Sequence, residues 1–194
     1  MSDIDWRRRL VAVEPAQAGG RSRWLGSARA RPAAVCRAVE RIVAGAAPGC
    51  RLSRRAAAAL DAIRTSLPFV DGETVPVVSN ADGSVKVWSF AGGAASASLA
   101  REFSLQGAAA VGFDDLSISV RGADIADIAA KLAKVDPHLA CPRLPDDIPA
   151  ALKFGLCLPD RLAAQVLAAR SADANAVADV CSRPTRLVLD AAGA

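Results

Sequence analysis

The acidic pairs in this sequence are the residues best suited to metal-dependent chemistry. Asp114-Asp115 and Asp146-Asp147 are adjacent carboxylates, and a nuclease could use such groups to hold a divalent ion. Neighbouring residues on a strand point to opposite faces, however, so adjacent acids cannot easily share one ion. We therefore expect Asp114 and Asp115 to end a strand and Asp146 and Asp147 to cap a helical turn, with no bound metal.

Other catalytic arrangements lack their residues in this sequence. The single histidine, His138, lies in a proline-rich connector, and the chain has neither a GxSxG nucleophile elbow nor the GxxxxGK motif of an ATPase. A zinc site could start from His138 and Cys141, but a second close pair of ligands is missing. We expect a protein that is not an enzyme, without cofactor, metal or ATPase motor.

The double glycine at Gly92 and Gly93 joins a predicted strand to a predicted helix. Backbone N–H groups at such a helix start can bind a phosphate. Glycines at this position are also what close packing of a strand against a helix requires. We favour close packing, and phosphate binding is the alternative.

Positive charge is concentrated in the N-terminal third of the chain. The net charge of the whole chain is +4, but residues 1–64 hold thirteen arginines against five acidic residues, whereas residues 65–194 carry a net charge of −4. Arginine binds phosphate through two parallel hydrogen bonds and stacks on bases better than lysine does. The arginine excess favours nucleic-acid contact, although the arginine bias of a GC-rich genome would produce the same composition.

The elements that carry these arginines are a predicted hairpin and two helices. Arg9–Glu14 and Arg21–Gly26 have strand patterns, with the turn sequence QAGG between them. A helix is predicted from Pro32, and a second helix follows Ser53, a residue type that favours helix N-caps.

The central part of the chain predicts a second hairpin. TVPVVS and VKVWSF flank the turn sequence NADG, and Pro76 places the first of these strands at a sheet edge. Trp88 and Phe90 share one face of the second strand, and we expect one of them to be buried against the helix that begins near Gly93. With the strand DLSISV and a helix over Ile125–Val135, the sequence predicts an α+β fold: an antiparallel sheet with several packed amphipathic helices.

The proline-rich connector after residue 140 predicts a domain boundary, and the lengths of the apolar runs indicate the cellular compartment. Residues 1–140 are predicted to form an α+β accessory domain with a basic N-terminal part, and residues 141–194 a proline-punctuated connector and a C-terminal helical segment. No uncharged apolar run is long enough to span a membrane, and the first residues do not have the pattern of a secretion signal. We expect a cytoplasmic protein without membrane contact.

Three segments in order resemble the C-terminal accessory region of large Lhr-type helicases of the DEAD/DEAH-box superfamily 2. They are GRSRWLGSARA (Gly20–Ala30), VKVWSFAGGAASASLA (Val85–Ala100) and ALKFGLCLPDRLAAQVLAAR (Ala151–Arg170). In that family the region follows the two motor lobes and supports the DNA path. The resemblance implies contact with DNA, or alternatively RNA, and with helicase motor domains in cis or in trans.

The resemblance and the charge distribution together give the candidate binding residues. They are Arg21, Arg23, Arg29, Arg31 and Lys153. We expect them to contact the phosphate backbone, so that binding is weak, independent of sequence and strongly dependent on salt. Trp24 points to the opposite strand face from Arg21 and Arg23 and is expected to pack rather than to stack on bases.

Two other classes of function stay open. A protein-interaction or scaffolding domain would have a protein partner and no DNA affinity, and a small enzyme acting on nucleic acid would show metal-dependent or pH-dependent turnover. The chain has Ala94 and Ser96 where the helicase family tends to show Arg and Asn, which leaves room for a diverged helicase fragment without DNA affinity.

Overall fold

The computed structural model describes residues 3–5, 8, 10–12 and 30–189. Near the N-terminus, β1 (Asp3–Asp5) pairs antiparallel with β2 (Leu10–Ala12). β2 confirms the middle of the strand predicted over Arg9–Glu14. The predicted partner, Arg21–Gly26, lies outside the described residues, and the partner that β2 has within them is β1.

The main sheet has five strands in the order β5-β6-β4-β3-β7. Their bounds are β3 Val75–Ser79, β4 Ser84–Val87, β5 Val111–Phe113, β6 Ile118–Arg121 and β7 Thr185–Val188. All neighbours are antiparallel except β3 and β7, which are parallel. This open, mostly antiparallel sheet with packed helices confirms the predicted α+β fold class.

The predicted NADG sequence forms the turn between β3 and β4. The N–H of Gly83 donates to the Asn80 carbonyl at 3.0 Å, and Gly83 has a φ of 74°. The Asp82 carboxylate accepts from the N–H and the hydroxyl of Ser84 at 3.0 and 2.6 Å. These bonds use the local hydrogen-bonding capacity of Asn and Asp and the freedom of Gly at positive φ, so the hairpin prediction is confirmed.

The sheet position predicted for Pro76 is wrong. β3 lies between β4 and β7 and is not an edge strand. The Pro76 carbonyl accepts from the Trp88 N–H at 2.9 Å, and the parallel register places Pro76 opposite Arg186 of β7. Pro76 offers no N–H to this ladder, while the preceding Val75 donates to the Pro184 carbonyl at 2.9 Å. A single proline is therefore accommodated inside the sheet.

Within the part of the chain that the structure describes, six α-helices surround the sheet. Their bounds are α1 Ala33–Val43, α2 Arg54–Ser66, α3 Gly92–Leu105, α4 Ile125–Ala133, α5 Asp160–Ser171 and α6 Ala174–Ser182. The helices predicted from Pro32 and after Ser53 are confirmed, and the Ser53 hydroxyl accepts from the Ala56 N–H at 3.2 Å. None of these helices is long and apolar enough to cross a membrane.

Helices α3, α4 and α6 pack on one face of the sheet and form the larger core. Its fully buried side chains include Val75, Val77, Val87, Leu99, Phe103, Ile118, Val120, Ile128, Val177 and Val180. Because α6 contributes to this core and β7 to the sheet, residues 174–188 pack together with residues 75–135. The boundary expected near residue 140 stays a prediction.

The other face of the sheet packs against the end of α1 and the segment Phe69–Val70. Phe90 is 1% exposed, lies in this cluster with Val78, and stacks on the Trp88 ring at a centroid distance of 5.7 Å. The expected burial of one of the two aromatic residues is therefore confirmed, but the expected partner is wrong, because Phe90 packs in the cluster with Val43 and Phe69 whereas α3 packs in the larger core. β4 ends at Val87 and Phe90 has a φ of 48°, so the prediction that both aromatics share one regular strand is wrong.

A buried carboxylate joins α1 to α6 and the sheet. Glu40 of α1 is 2% exposed and accepts from Arg183 at 2.6 and 3.2 Å and from Arg37 at 2.7 Å. Arg183 also donates to the Thr74 carbonyl, and Arg37 pairs with Asp179 of α6. Burial raises the pKa of the Glu40 carboxyl to about 7, and Arg37 acts against this rise. These contacts fix α1 to the rest of the molecule.

Candidate nucleic-acid interface

The candidate binding residues divide between described and undescribed parts of the chain. Arg31 and Lys153 lie in the described part, whereas Arg21, Arg23 and Arg29 lie outside it.

Arg31 stands at the entrance to α1 and is held by the turn between β5 and β6. Its guanidinium donates to the Asp115 carboxylate at 2.7 Å, and its backbone N–H donates to the same carboxylate at 3.0 Å. These two interactions, the backbone bond first, hold the pKa of Asp115 below its usual range. The Arg31 side chain is 69% exposed, so it can reach solvent, but a carboxylate already neutralises its charge. This arrangement fixes the chain in front of α1 and weakens Arg31 as a phosphate ligand.

The contact between Arg31 and the β5–β6 turn also explains the double glycine at the start of α3. The N–H of Gly92 donates to the Asp115 carbonyl at 3.0 Å, and the N–H of Gly93 donates to the Arg31 carbonyl at 3.2 Å. A Cβ on Gly92, where φ is +80°, would lie 2.5 Å from the Arg31 carbonyl oxygen. Both N–H groups are used within the protein, and an added Cβ at either glycine would meet the segment in front of α1. Close packing is confirmed, but the expected partner is wrong, because the close neighbours belong to this segment and to Asp115 and not to a strand.

Gly92→Ala is therefore expected to destabilise the protein more than a glycine substitution in the β3–β4 turn does. The matched control is Gly83→Ala, because Gly83 also has a positive φ, +74°, but nothing lies within 4 Å of an added Cβ. Both variants pay the cost of the left-handed backbone, about 1–2 kcal/mol. The clash at Gly92 should add about 1–3 kcal/mol, measured by urea unfolding. Equal losses in the two variants would contradict the role of close packing.

Three arginines at the start of α2 form the most distinctive charged feature of the described surface. Arg51, Arg54 and Arg55 are exposed, and within residues 30–189 none of their side chains forms an ion pair or a hydrogen bond. The first turn of α2 contains no acidic residue. Because a helix N-terminus carries partial positive charge, cations there repel the helix dipole and one another. Three cations at a helix N-terminus are unfavourable, and no carboxylate among the described residues offsets them. Such unfavourable arrangements are typical of functional sites, and these cations are suited to binding an anion.

Lys153 lies on a different, partly apolar surface. Its ammonium is 5.3 Å from the centroid of the Phe154 ring, and Phe154 is 67% exposed. Together with Asp147 these residues line a shallow cavity of about 480 Å³. An exposed aromatic ring beside a cation is the combination on which single-stranded nucleic acids stack. Lys153 is thus available to solvent.

Asp114 and Asp147 accept hydrogen bonds from nearby backbone N–H groups, and His138 is not part of a metal-binding group within the described residues. Asp114 accepts from the N–H groups of Leu116 and Ser117 at 2.8 and 2.7 Å, and Asp147 accepts from the Ala150 N–H at 3.1 Å. His138 is exposed, and no group of three or more His, Cys, Asp or Glu side chains in the described ranges could hold a metal ion. The interpretation of Asp147 as a helical-turn cap is confirmed.

Sequence reasoning did not select Arg51, Arg54 and Arg55, although it placed the N-cap at Ser53 between them. The signal was visible as the run RLSRR at a predicted helix start, where acidic residues would be the stabilising choice. These three arginines lie outside the helicase-like segments, from which four of the five candidate residues come.

The described surface offers exposed cations and apolar patches on an α+β framework. No protein-family model matches this chain, and no curated protein or solved structure matches it either. The interpretation of its surface therefore depends on the chain's own residues.

Proposed function

We propose that this chain is a non-catalytic accessory module that binds nucleic acid through the phosphate backbone. The resemblance of its three sequence segments to the C-terminal region of Lhr-type helicases supports this proposal. The same resemblance suggests a helicase motor, in cis or in trans, as the partner that supplies ATP hydrolysis.

The observation that carries the proposal is the arginine group at the start of α2. Arg51, Arg54 and Arg55 present three guanidinium groups without a carboxylate partner among the described residues. Guanidinium groups bind phosphate oxygens through paired hydrogen bonds, and the N-terminal end of a helix adds to the attraction for an anion. Contacts of this kind carry little sequence information, so the module is expected to bind many sequences alike.

Removing these arginines together should lower the salt dependence of nucleic-acid binding. In Arg51→Ala/Arg54→Ala/Arg55→Ala, the slope of log K against log salt concentration should fall by about 1 for each lost phosphate contact. The measurement is fluorescence anisotropy with a labelled single-stranded oligonucleotide and with its duplex across a salt titration.

The matched control is Arg161→Ala/Arg170→Ala, because both residues are exposed arginines of α5 without a carboxylate partner in the described chain. This control should leave the slope unchanged. Arg21→Ala/Arg23→Ala and Lys153→Ala test the residues selected from the sequence in the same assay. If the wild-type protein binds neither oligonucleotide at low salt, or if the triple variant keeps the full slope, the scaffolding function replaces this proposal.

A further inference from the structure

An apolar groove runs between α1 and α2 and ends on the sheet. Val35 and Val39 of α1 face Leu60 and Ile63 of α2, and Trp88 forms part of the floor. The groove has a volume of about 470 Å³, and only apolar residues line it. It lies on the face of the sheet opposite the larger core.

This groove is open to solvent although its walls are apolar. Val35, Val39 and Ile63 are 48, 40 and 45% exposed. None of the residues of α2 is buried, so this helix contributes no buried side chain to the hydrophobic core. Its position against α1 is fixed by Arg64, which donates to the carbonyls of Ile42 at 2.8 Å and Ala46 at 3.0 Å. α2 therefore stands beside α1 with its apolar side towards an open groove, and this side is available as a binding surface.

The dimensions of the groove fit another helix. α1 and α2 contain 11 and 13 residues, which correspond to lengths of about 16 and about 20 Å. A helix of about three turns has the same length. Small-molecule sites of this volume normally include a few polar groups that orient the ligand, whereas the lining residues here are aliphatic or aromatic and Trp88 is the one with a polar group, its indole N–H. An amphipathic helix needs no such groups, because it binds through aliphatic side chains repeated along one face.

The charges at the rim determine the kind of helix. The Lys86 ammonium lies 5.1 Å from the centroid of the Trp88 ring and has no carboxylate partner in the described part of the chain. On α2, Arg55 lies eight residues before Ile63, a rotation of about 80° around the helix, so it stands beside the apolar face. It is likewise without a carboxylate partner in the described part of the chain. The nearby carboxylates already have partners. Asp61 pairs with Arg64 at 3.8 Å, Asp115 pairs with Arg31 at 2.7 Å, and Asp114 accepts from two backbone N–H groups. The rim therefore attracts acidic side chains.

We propose that this groove binds an amphipathic helix of a partner protein, with aliphatic residues on one face and Glu or Asp on both flanks. The aliphatic face fills the groove between α1 and α2, and the acidic flanks meet Lys86 and Arg55. The apolar groove does not depend on the proposed nucleic-acid binding, because its lining residues are not phosphate ligands, and Arg55 at the rim is the residue that the two proposals share.

The test uses the full chain and a fluorescein-labelled synthetic peptide of about 14 residues, with Leu at i, i+4, i+7 and i+11 and Glu at the flanking positions. A second peptide carries Lys in place of Glu. Fluorescence anisotropy should show saturable binding of the Glu peptide and at least about tenfold weaker binding of the Lys peptide.

The protein variant is Ile63→Asp, and its matched control is Leu162→Asp on α5. The two residues are 45 and 47% exposed, and Leu162 is not among the residues that line the groove. Ile63→Asp should weaken binding of the Glu peptide at least about tenfold while its circular dichroism and melting temperature stay close to those of the wild type, and Leu162→Asp should bind normally.

Four outcomes would overturn the proposal. The first is the absence of peptide binding by the wild-type protein, and the second is equal binding of the Glu and Lys peptides. The third is an equal effect of the two Asp variants. The fourth is a wild-type dimer, seen by sedimentation, that Ile63→Asp dissociates, since this would assign the groove to a second copy of the chain. Ile63→Asp and Leu162→Asp leave all the proposed phosphate ligands in place, so these results are read separately from those of the arginine variants, which remove the rim residue Arg55.

Discussion

Glu40→Ala is expected to lower the free energy of unfolding by about 3–5 kcal/mol, because it leaves the buried guanidinium group of Arg183 without its carboxylate and Arg37 with Asp179 alone. Arg183 and Arg37 have side chains that are only 13 and 17% exposed, so water cannot replace the lost contacts fully. The loss should appear in urea unfolding at neutral pH as a lower midpoint with an unchanged slope.

Glu40→Gln is the matched control for this prediction. Because burial raises the pKa of Glu40 to about 7, the amide imitates the protonated carboxyl in size and keeps an oxygen that accepts hydrogen bonds. Its loss should be clearly smaller than that of Glu40→Ala. If the two variants unfold alike, or if Glu40→Ala is as stable as the wild type, the carboxylate does not hold α1 in place.

Phe90→Ala is expected to cost about 3–5 kcal/mol, the usual cost of removing a fully buried aromatic side chain. Phe90 packs with Val78 and Phe69 and stacks on Trp88, so its removal opens a cavity between the sheet and the end of α1. For a chain of this length each kcal/mol shifts the melting temperature by about 2–4 °C, and the expected decrease is therefore about 10 °C.

Trp88→Ala should have the smaller effect of the two, because Trp88 is only partly buried and faces the open groove. Differential scanning calorimetry on both variants gives the comparison directly. Unchanged melting temperatures in both variants would show that this aromatic cluster does not stabilise the fold.

Local signals in the sequence were sufficient for most helices and for the central hairpin. Ser53 caps α2 through a bond to a residue three positions along the chain, and NADG closes its turn within five residues. Both depend on neighbours in sequence, so residue type and spacing predict them. The fold class followed because these elements, strands and helices alike, were correctly identified.

Contacts between distant residues could not be predicted in this way. Nothing near Pro76 in the sequence indicates that β7 lies beside it, which is why β3 was expected at an edge. Arg31 is 84 residues from Asp115, and Arg183 is 143 residues from Glu40. The prediction of the binding residues has the same weakness. The sequence predicts Arg31 as a phosphate ligand, but it gives no sign that the Asp115 carboxylate pairs with Arg31 in the folded protein.

The parallel pairing of β3 with β7 has a consequence for the order of folding. Val75 and Thr185 face each other although about 110 residues separate them, whereas β3 and β4 are joined by a short turn. The entropy lost in closing a loop increases with its length, and contacts between distant residues form slowly. The β3–β4 hairpin can therefore form early, and β7 can join only after much of the intervening chain has collapsed. Stopped-flow refolding of variants in β4 and β7 should place the hairpin, but not β7, in the transition state.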